Sequence, residues 1–198
     1  MYKCIKRFCD IVFSALAIII LFIPMVIIAV AIKIEGYGSP FFKQIRVGKD
    51  KVPFELWKFR SMKPQTPSDV PTHLMTNVED MLTPLGRHLR STSLDELPQL
   101  FQIFTGKMSI VGPRPALPVQ EDLIALRDEN GANALTPGLT GWAQINGRDE
   151  ISVEEKARLD GEYAAKQSFL FDCKCFFISI GKVLRREDVD LGAEKGNR

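Results

Sequence analysis

Two adjacent carboxylates, Asp95 and Glu96, sit between leucines in Ser93-Leu94-Asp95-Glu96-Leu97-Pro98-Gln99-Leu100. An ionised carboxylate can attack an electrophile or hold a divalent cation. Neighbouring positions on a helix point about 100° apart, so two adjacent acids cannot do the same job. The stretch also satisfies a purely structural pattern. Ser93-x-x-Glu96 is a capping box, in which Ser93 caps a first helical turn and Glu96 reaches back to the Ser93 amide. Pro98 leaves two geometries open. Either Ser93 caps a helix that carries proline as its fifth residue, or the helix starts at Pro98 and both acids lie in the turn before it. In both, Asp95 lies beside a helix N-terminus, which favours its charged form.

Cations that could face these acids are spread along the chain. Arg90 lies just upstream, and Arg114 sits between Pro113 and Pro115 on stiffened backbone, a presentation suited to a phosphate or to a structural carboxylate. Lys58 and Arg60, two residues apart on a predicted strand, share a face; they can meet a diphosphate or form a solvated edge. Residues 136–148 are glycine-rich and hold Trp142, Gln144, Asn146 and Arg148. Such a loop can offer amides to phosphate and an aromatic or amide group to a base, or can simply be a tight turn around a buried tryptophan. His73 and His88 have no metal-ligand spacing.

The elements that must position these residues follow from pattern and composition. The chain has 198 residues, enough for one domain with a core. Its net charge is +2, from 26 basic and 24 acidic residues, which disfavours a nucleic-acid binder. Cys4, Cys9, Cys173 and Cys175 form no Cys-x-x-Cys pair and are read as free thiols. Ile11 to Ile32 is 22 residues without charge, 15 of them Ile, Leu, Val or Phe. Those side chains favour membrane insertion by about 5–9 kcal/mol before backbone costs. The run exceeds the roughly 7–15 residues of a signal-peptide core, which argues against cleavage. Pro24 predicts a kink, and the pieces on either side, about 20 and 12 Å long, are each too short to cross alone. Lys3, Lys6 and Arg7 precede the run, and Lys33, Lys43, Arg46, Lys49 and Lys51 follow it. The positive-inside rule is met at both ends only if both lie on the cytoplasmic side. Composition alone leaves a straight span and a returning hairpin both open.

Further along, Phe41–Gly48 and Val52–Arg60 read as strands of a hairpin, and residues 64–71 as an irregular loop. Asn77–Arg90 reads as a short helix interrupted near Pro84. Leu97, Leu100, Phe101 and Phe104 form a helical stripe, and Val119–Glu129 and Ile151–Tyr163 read as helices, the second capped near Ser152. In Phe169–Val183, Phe169, Cys173, Phe176, Phe177 and Ile180 share one face while Asp172, Lys174 and Lys182 lie off it, a pattern that fits an interfacial helix. The expected class is α+β. Residues 1–35 are expected to form the membrane segment, a straight span or a helix–break–helix hairpin, 36–187 a mainly helical domain with a short β-hairpin, and 188–198 a polar tail.

Ser93–Leu100, followed by Gly106-Lys107-Met108-Ser109 and Val111-Gly112-Pro113-Arg114-Pro115, resembles the small monotopic phosphoglycosyl transferases of bacteria. Lys58-Phe59-Arg60-Ser61-Met62 and Pro137-Gly138-Leu139-Thr140-Gly141-Trp142-Ala143-Gln144-Ile145-Asn146-Gly147-Arg148 extend the match, which runs from about residue 2 to about residue 187. The resemblance implies a re-entrant membrane helix in the bacterial inner membrane, with the catalytic domain on the cytoplasmic face. It implies transfer of a sugar 1-phosphate from a UDP-sugar to a polyprenol phosphate. Asp95 would be the nucleophile, Glu96 would support metal or base, and both would hold Mg²⁺. Lys58, Arg60, Arg90, Arg114, Trp142, Gln144 and Arg148 would bind substrate. A lipid bilayer is an implied partner, nucleic acid is not, and a homodimer is allowed. Asp160 and Tyr163 also match family positions, with no role derivable from sequence. The rival readings are another membrane phosphotransferase or phosphatase, and a noncatalytic membrane-anchored scaffold.

Overall fold

The apolar N-terminal run forms the longest element, α1 (Tyr2–Glu35), in the computed structural model, which describes residues 2–67, 70, 75, 77–147 and 151–185. Helical structure continues through Pro24, so the proline removes one backbone bond without opening a non-helical break. At 1.5 Å per residue, 34 residues span about 51 Å. One stripe of α1 supplies core. Ala17, Ile18 and Leu21 pack with Leu56, Leu100, Ile103 and Met108, while Leu21, Met25, Ile28 and Ile32 pack with Phe59, Leu89, Leu94 and Leu97. The other faces leave Ile19, Ile20, Phe22, Ile23, Ile27 and Val30 exposed. This helix is long and apolar enough to cross a membrane.

Both ends of α1 are tied to the body. Tyr2 Oη and Lys6 Nζ each donate to Asp172 Oδ2 at 2.5 Å, and Tyr163 Oη donates to Asp172 Oδ1 at 2.6 Å. Arg7 donates to the carbonyls of Ile103 (2.6 Å) and Phe104 (2.7 Å), and Asp10 Oδ1 accepts from the Ile110 amide at 3.0 Å. At the far end, Glu35 Oε1 accepts from the Leu85 amide at 2.9 Å.

After α1, β1 (Phe41–Val47) and β2 (Pro53–Phe59) pair antiparallel as predicted, with Phe41 opposite Phe59 and Phe42 opposite Lys58. Then come α2 (Val78–Met81) and α3 (Pro84–Ser91), a break near Pro84 that the sequence anticipates. A single 3-10 turn, Leu94–Glu96, leads into α4 (Gln99–Thr105). Next are β3 (Ser109–Val111), α5 (Glu121–Glu129), β4 (Gly138–Thr140) and α6 (Trp142–Ile145). Last are α7 (Val153–Lys166), whose Ser152 hydroxyl caps the Glu155 amide, and α8 (Phe169–Arg185).

The class is α+β. The parallel β3–β4 pair was not anticipated from sequence. Asp172 lies off the apolar stripe of α8 as expected, and it is buried. The stripe itself, with Phe169, Phe176, Phe177 and Ile180, is the exposed side. All four cysteines are free. The tail predicted from residue 188 lies outside the described residues.

The β3–β4 junction depends on close backbone approach. A Cβ at Gly138 would stand 2.2 Å from the Gly112 nitrogen and 2.4 Å from the Thr140 oxygen, both rigid backbone atoms. Gly138→Ala is therefore expected to destabilise by about 3 kcal/mol or more. That corresponds to a fall of about 6 °C or more in apparent melting temperature, measured on detergent-solubilised protein. An unchanged melting temperature would contradict this packing.

Candidate active site

The acid pair occupies a turn, not a helix. Ser93 adopts a left-handed conformation (φ 56°) and its side chain makes no capping bond. Its amide donates to the Arg90 carbonyl at 3.1 Å, so it is not held by Glu96. The capping box does not form. Pro98 precedes α4 in helical conformation (φ −60°), which leaves Asp95 and Glu96 in the turn before the helix, the second of the two geometries the sequence allows.

Glu96 has different partners. Its Oε1 accepts from Lys58 Nζ at 2.6 Å and from Arg114 Nη2 at 3.2 Å, so one carboxylate joins β2, the turn and the segment after β3. Burial pushes the Lys58 pKa below the ordinary lysine range, with Glu96 pulling it back up. Gln102 of α4 fastens β2 beside it, accepting from the Trp57 amide at 3.0 Å and donating to the Glu55 carbonyl at 2.5 Å.

Asp95 is 6% exposed and lines a cavity of about 510 Å³ with Arg46, Lys58, Arg60, Lys63 and Arg90. Glu96 lines a second cavity of about 290 Å³, mostly apolar, with Leu97, Leu100, Leu139, Phe176 and Ile180. The turn therefore stands between a cationic chamber and a greasy groove, with one acid facing each. A carboxylate and a diphosphate repel by about 4 kcal/mol per charge pair at 4 Å and an effective dielectric near 20, and the chamber's cations offset this.

Of the residues singled out from sequence, Asp95, Lys58, Arg60 and Arg90 converge on the chamber. Arg60 also donates through Nε to the Ser39 carbonyl at 2.7 Å, and Arg114 reaches the site through Glu96. Gln144 lines the apolar groove instead, donating to the Leu139 carbonyl at 3.1 Å. Trp142 is not among the residues lining either cavity. Its indole donates to Glu162 at 3.1 Å, lies 4.9 Å from the Phe171 ring and is covered by Lys174 at 4.8 Å. Arg148 lies outside the described residues.

Sequence reasoning missed Arg46 and Lys63 as chamber residues. The hairpin register sets residues 42, 44 and 46 opposite 58, 56 and 54, so Arg46 was findable from the face it shares with Lys58's neighbours. Among the described residues no three His, Cys, Asp or Glu side chains cluster. Two adjacent carboxylates nevertheless suit Mg²⁺, which commonly takes one or two and completes its shell with phosphate oxygens and water.

Comparison with known proteins gives a consistent result. The family described as "Bacterial sugar transferase" matches residues 1–186. The UDP-glucose:undecaprenyl-phosphate glucose-1-phosphate transferase of Escherichia coli (strain K12) is 38% identical over 187 residues, 91% of this chain and 40% of that protein. An uncharacterized sugar transferase of Bacillus subtilis (strain 168) is 42% identical, covering 83% of this chain and 80% of its own length. The UDP-galactose-lipid carrier transferase of Erwinia amylovora is 34% identical, covering 92% of this chain and 41% of its own. The chain thus spans about 40% of the length of two of these three relatives.

The Lys58–Glu96 contact makes a thermodynamic prediction independent of activity. Lys58→Met and Glu96→Gln should each destabilise by about 1–3 kcal/mol, because each leaves a largely buried partner short of its counter-charge. The double variant should cost less than the sum of the singles. Chemical denaturation of the four proteins in one detergent checks this; strictly additive losses would mean that the contact carries no coupling.

Proposed function

The chain belongs to the bacterial sugar transferase family, and from that premise we propose that it moves a sugar 1-phosphate from a UDP-sugar to a polyprenol phosphate through a covalent phosphosugar on Asp95. The observation that carries this reading is the turn itself, which sets Asp95 against a cationic chamber and Glu96 against an apolar groove. A soluble anionic donor suits the first cavity and a lipid-linked acceptor the second. The Escherichia coli and Erwinia amylovora relatives are named for the same pairing, a UDP-sugar with a lipid carrier.

In the first step an Asp95 carboxylate oxygen attacks the sugar-bearing phosphorus. The bond from that phosphorus to the bridging oxygen breaks, and UMP departs with the electron pair. In the second step the phosphate oxygen of the polyprenol phosphate attacks the phosphosugar, the aspartyl oxygen–phosphorus bond breaks, and the Asp95 carboxylate returns. Dividing the transfer this way is the logic of covalent catalysis, and ping-pong kinetics follow.

Lys58, Arg60 and Arg90 neutralise the diphosphate in the chamber, and Arg114 holds Glu96 in place. Asp95, the acid on the chamber side, would hold Mg²⁺ with Glu96 in support from the same turn, and the ion would supply charge neutralisation for the leaving phosphate.

The ties on α1 bear on the membrane arrangement. A straight crossing would carry one end of a roughly 51 Å helix far from the domain. Here Tyr2, Lys6, Arg7 and Asp10 at one end and Glu35 at the other all bond to the same body. Such ties favour both ends on one side, the re-entrant arrangement that the family resemblance implies, and the basic flanks favour the cytoplasmic face of the bacterial inner membrane for that side. The exposed apolar stripe of α8, which also walls the groove, lies at the bilayer surface where a polyprenol enters.

Two experiments check this reading. Intact mass spectrometry of detergent-solubilised protein with a panel of UDP-sugars and Mg²⁺ should find one phosphosugar adduct. Asp95→Asn should show none, and an adduct that persists in that variant would rule out Asp95 as nucleophile. Ile180→Asp in the groove should leave adduct formation within about twofold while raising KM for polyprenol phosphate at least about tenfold, the scale of burying a charge against an acyl chain. Equal effects on both half-reactions would remove the groove from the acceptor site.

A further inference from the structure

Arg127 of α5 and Asp160 of α7 form a charge pair beneath the site, 3% and 1% exposed, and the proposed reaction has no use for them. Arg127 Nε and Nη2 both donate to Asp160 Oδ2, at 2.9 and 2.5 Å. A pair this deep is a poor source of stability, because its desolvation cost offsets most of the attraction and apolar residues of similar volume do as well. What an apolar pair could not do is supply Arg127's third donor. Arg127 Nη1 donates to the backbone carbonyl of Arg114 at 3.0 Å, and Arg114's own guanidinium reaches Glu96 at 3.2 Å.

The neighbouring carbonyls are held as well. Arg46 donates to the Pro115 carbonyl at 3.0 Å, and the Val47 amide donates to the Ala116 carbonyl at 2.9 Å. Three consecutive peptide planes of an irregular segment are thus fixed from two directions, the hairpin on one side and α5 on the other. The prolines flanking Arg114 fix their own φ angles and Pro115 narrows the ψ of Arg114, and within that range Arg127 sets the tilt of the Arg114 carbonyl.

We infer that Arg127 and Asp160 are positioning residues for the transfer reaction: Asp160 aims Arg127, Arg127 holds the Arg114 peptide plane, and Arg114 thereby holds the Glu96 carboxylate beside Asp95. This role rests on the proposed function, since it serves that reaction's acid pair. Arg127→Lys isolates it. An ammonium can still pair with Asp160, but its donors sit on one nitrogen, which cannot stand at the Nε, Nη2 and Nη1 positions at once and so loses the spaced contact to the Arg114 carbonyl.

The test is a double-variant cycle on the rate of phosphosugar adduct formation, with hydrogen–deuterium exchange on the same proteins without substrate. Arg127→Lys should slow adduct formation by about 10- to 100-fold, the scale of a small misplacement of a reacting group. In an Arg114→Ala background the same change should cost less than about twofold, because the residue it acts through is gone. Deuterium uptake over residues 114–117 should rise in Arg127→Lys. Losses that multiply across the two backgrounds, or a wild-type rate in Arg127→Lys, would overturn the assignment. Should Arg127→Lys melt well below wild type, Asp160→Asn, which keeps all of Arg127's donors and removes only the charge that aims them, goes through the same cycle. A wild-type protein that forms no adduct would sink the proposed reaction instead. The exchange data would then still decide the positioning role, unchanged uptake over 114–117 ruling it out.

Discussion

A single carboxylate oxygen, Oε1 of Glu96, holds this site together. It receives Lys58 from the hairpin and Arg114 from the segment after β3, and it belongs to the turn that carries Asp95. Three stretches distant in sequence therefore meet at one atom. Such an arrangement is costly, because all three charges are largely withdrawn from water, and it persists only where the supporting geometry is rigid. Gln102 pins β2, the Pro-Arg-Pro segment is stiff, and Leu94 and Leu97, on either side of the acids, are packed into the core under α1.

The elements with strong local patterns were legible in the sequence. The hairpin, the break near Pro84, the Ser152 cap and the exposed stripe of α8 follow from alternation, proline, capping chemistry and helical spacing, which are short-range properties. The acid pair was visible too, but its geometry was not. Ser93-x-x-Glu96 carries the pattern of a capping box, and nothing within four residues says that Glu96 will instead bond Lys58, 38 positions away. Strands of three residues, like β3 and β4, are too short for any period to show. That Asp172 would be buried cannot be read from the helical pattern around it. Its partners Tyr2, Lys6 and Tyr163 come from other elements, and their hydroxyls and ammonium make a buried carboxylate tolerable there. Trp142 stood in a loop suited to a nucleotide, yet Phe171, Lys174 and Glu162 already occupy its ring and its N–H.

The same reasoning connects the membrane side to the chemistry. Arg7 satisfies the last carbonyls of α4, while the first residues of α4 follow the acid turn. The helix that follows the acid turn is thus fastened at its other end to the long apolar helix. Phe101 and Phe104 of α4, which packs against α1, add to the exposed apolar surface.

The packing of α1 also limits what protein engineering can do with this enzyme family member. Met25 and Ile32 are buried members of the core, so the hydrophobic helix is part of the scaffold rather than a detachable tether. Cutting it away to obtain a water-soluble version would uncover Phe59, Leu89 and Ile103 at once and strip the clasp from Asp172. Solubility is better sought by recolouring the outward faces of α1 and α8 with polar side chains while leaving the inward stripe of α1 untouched.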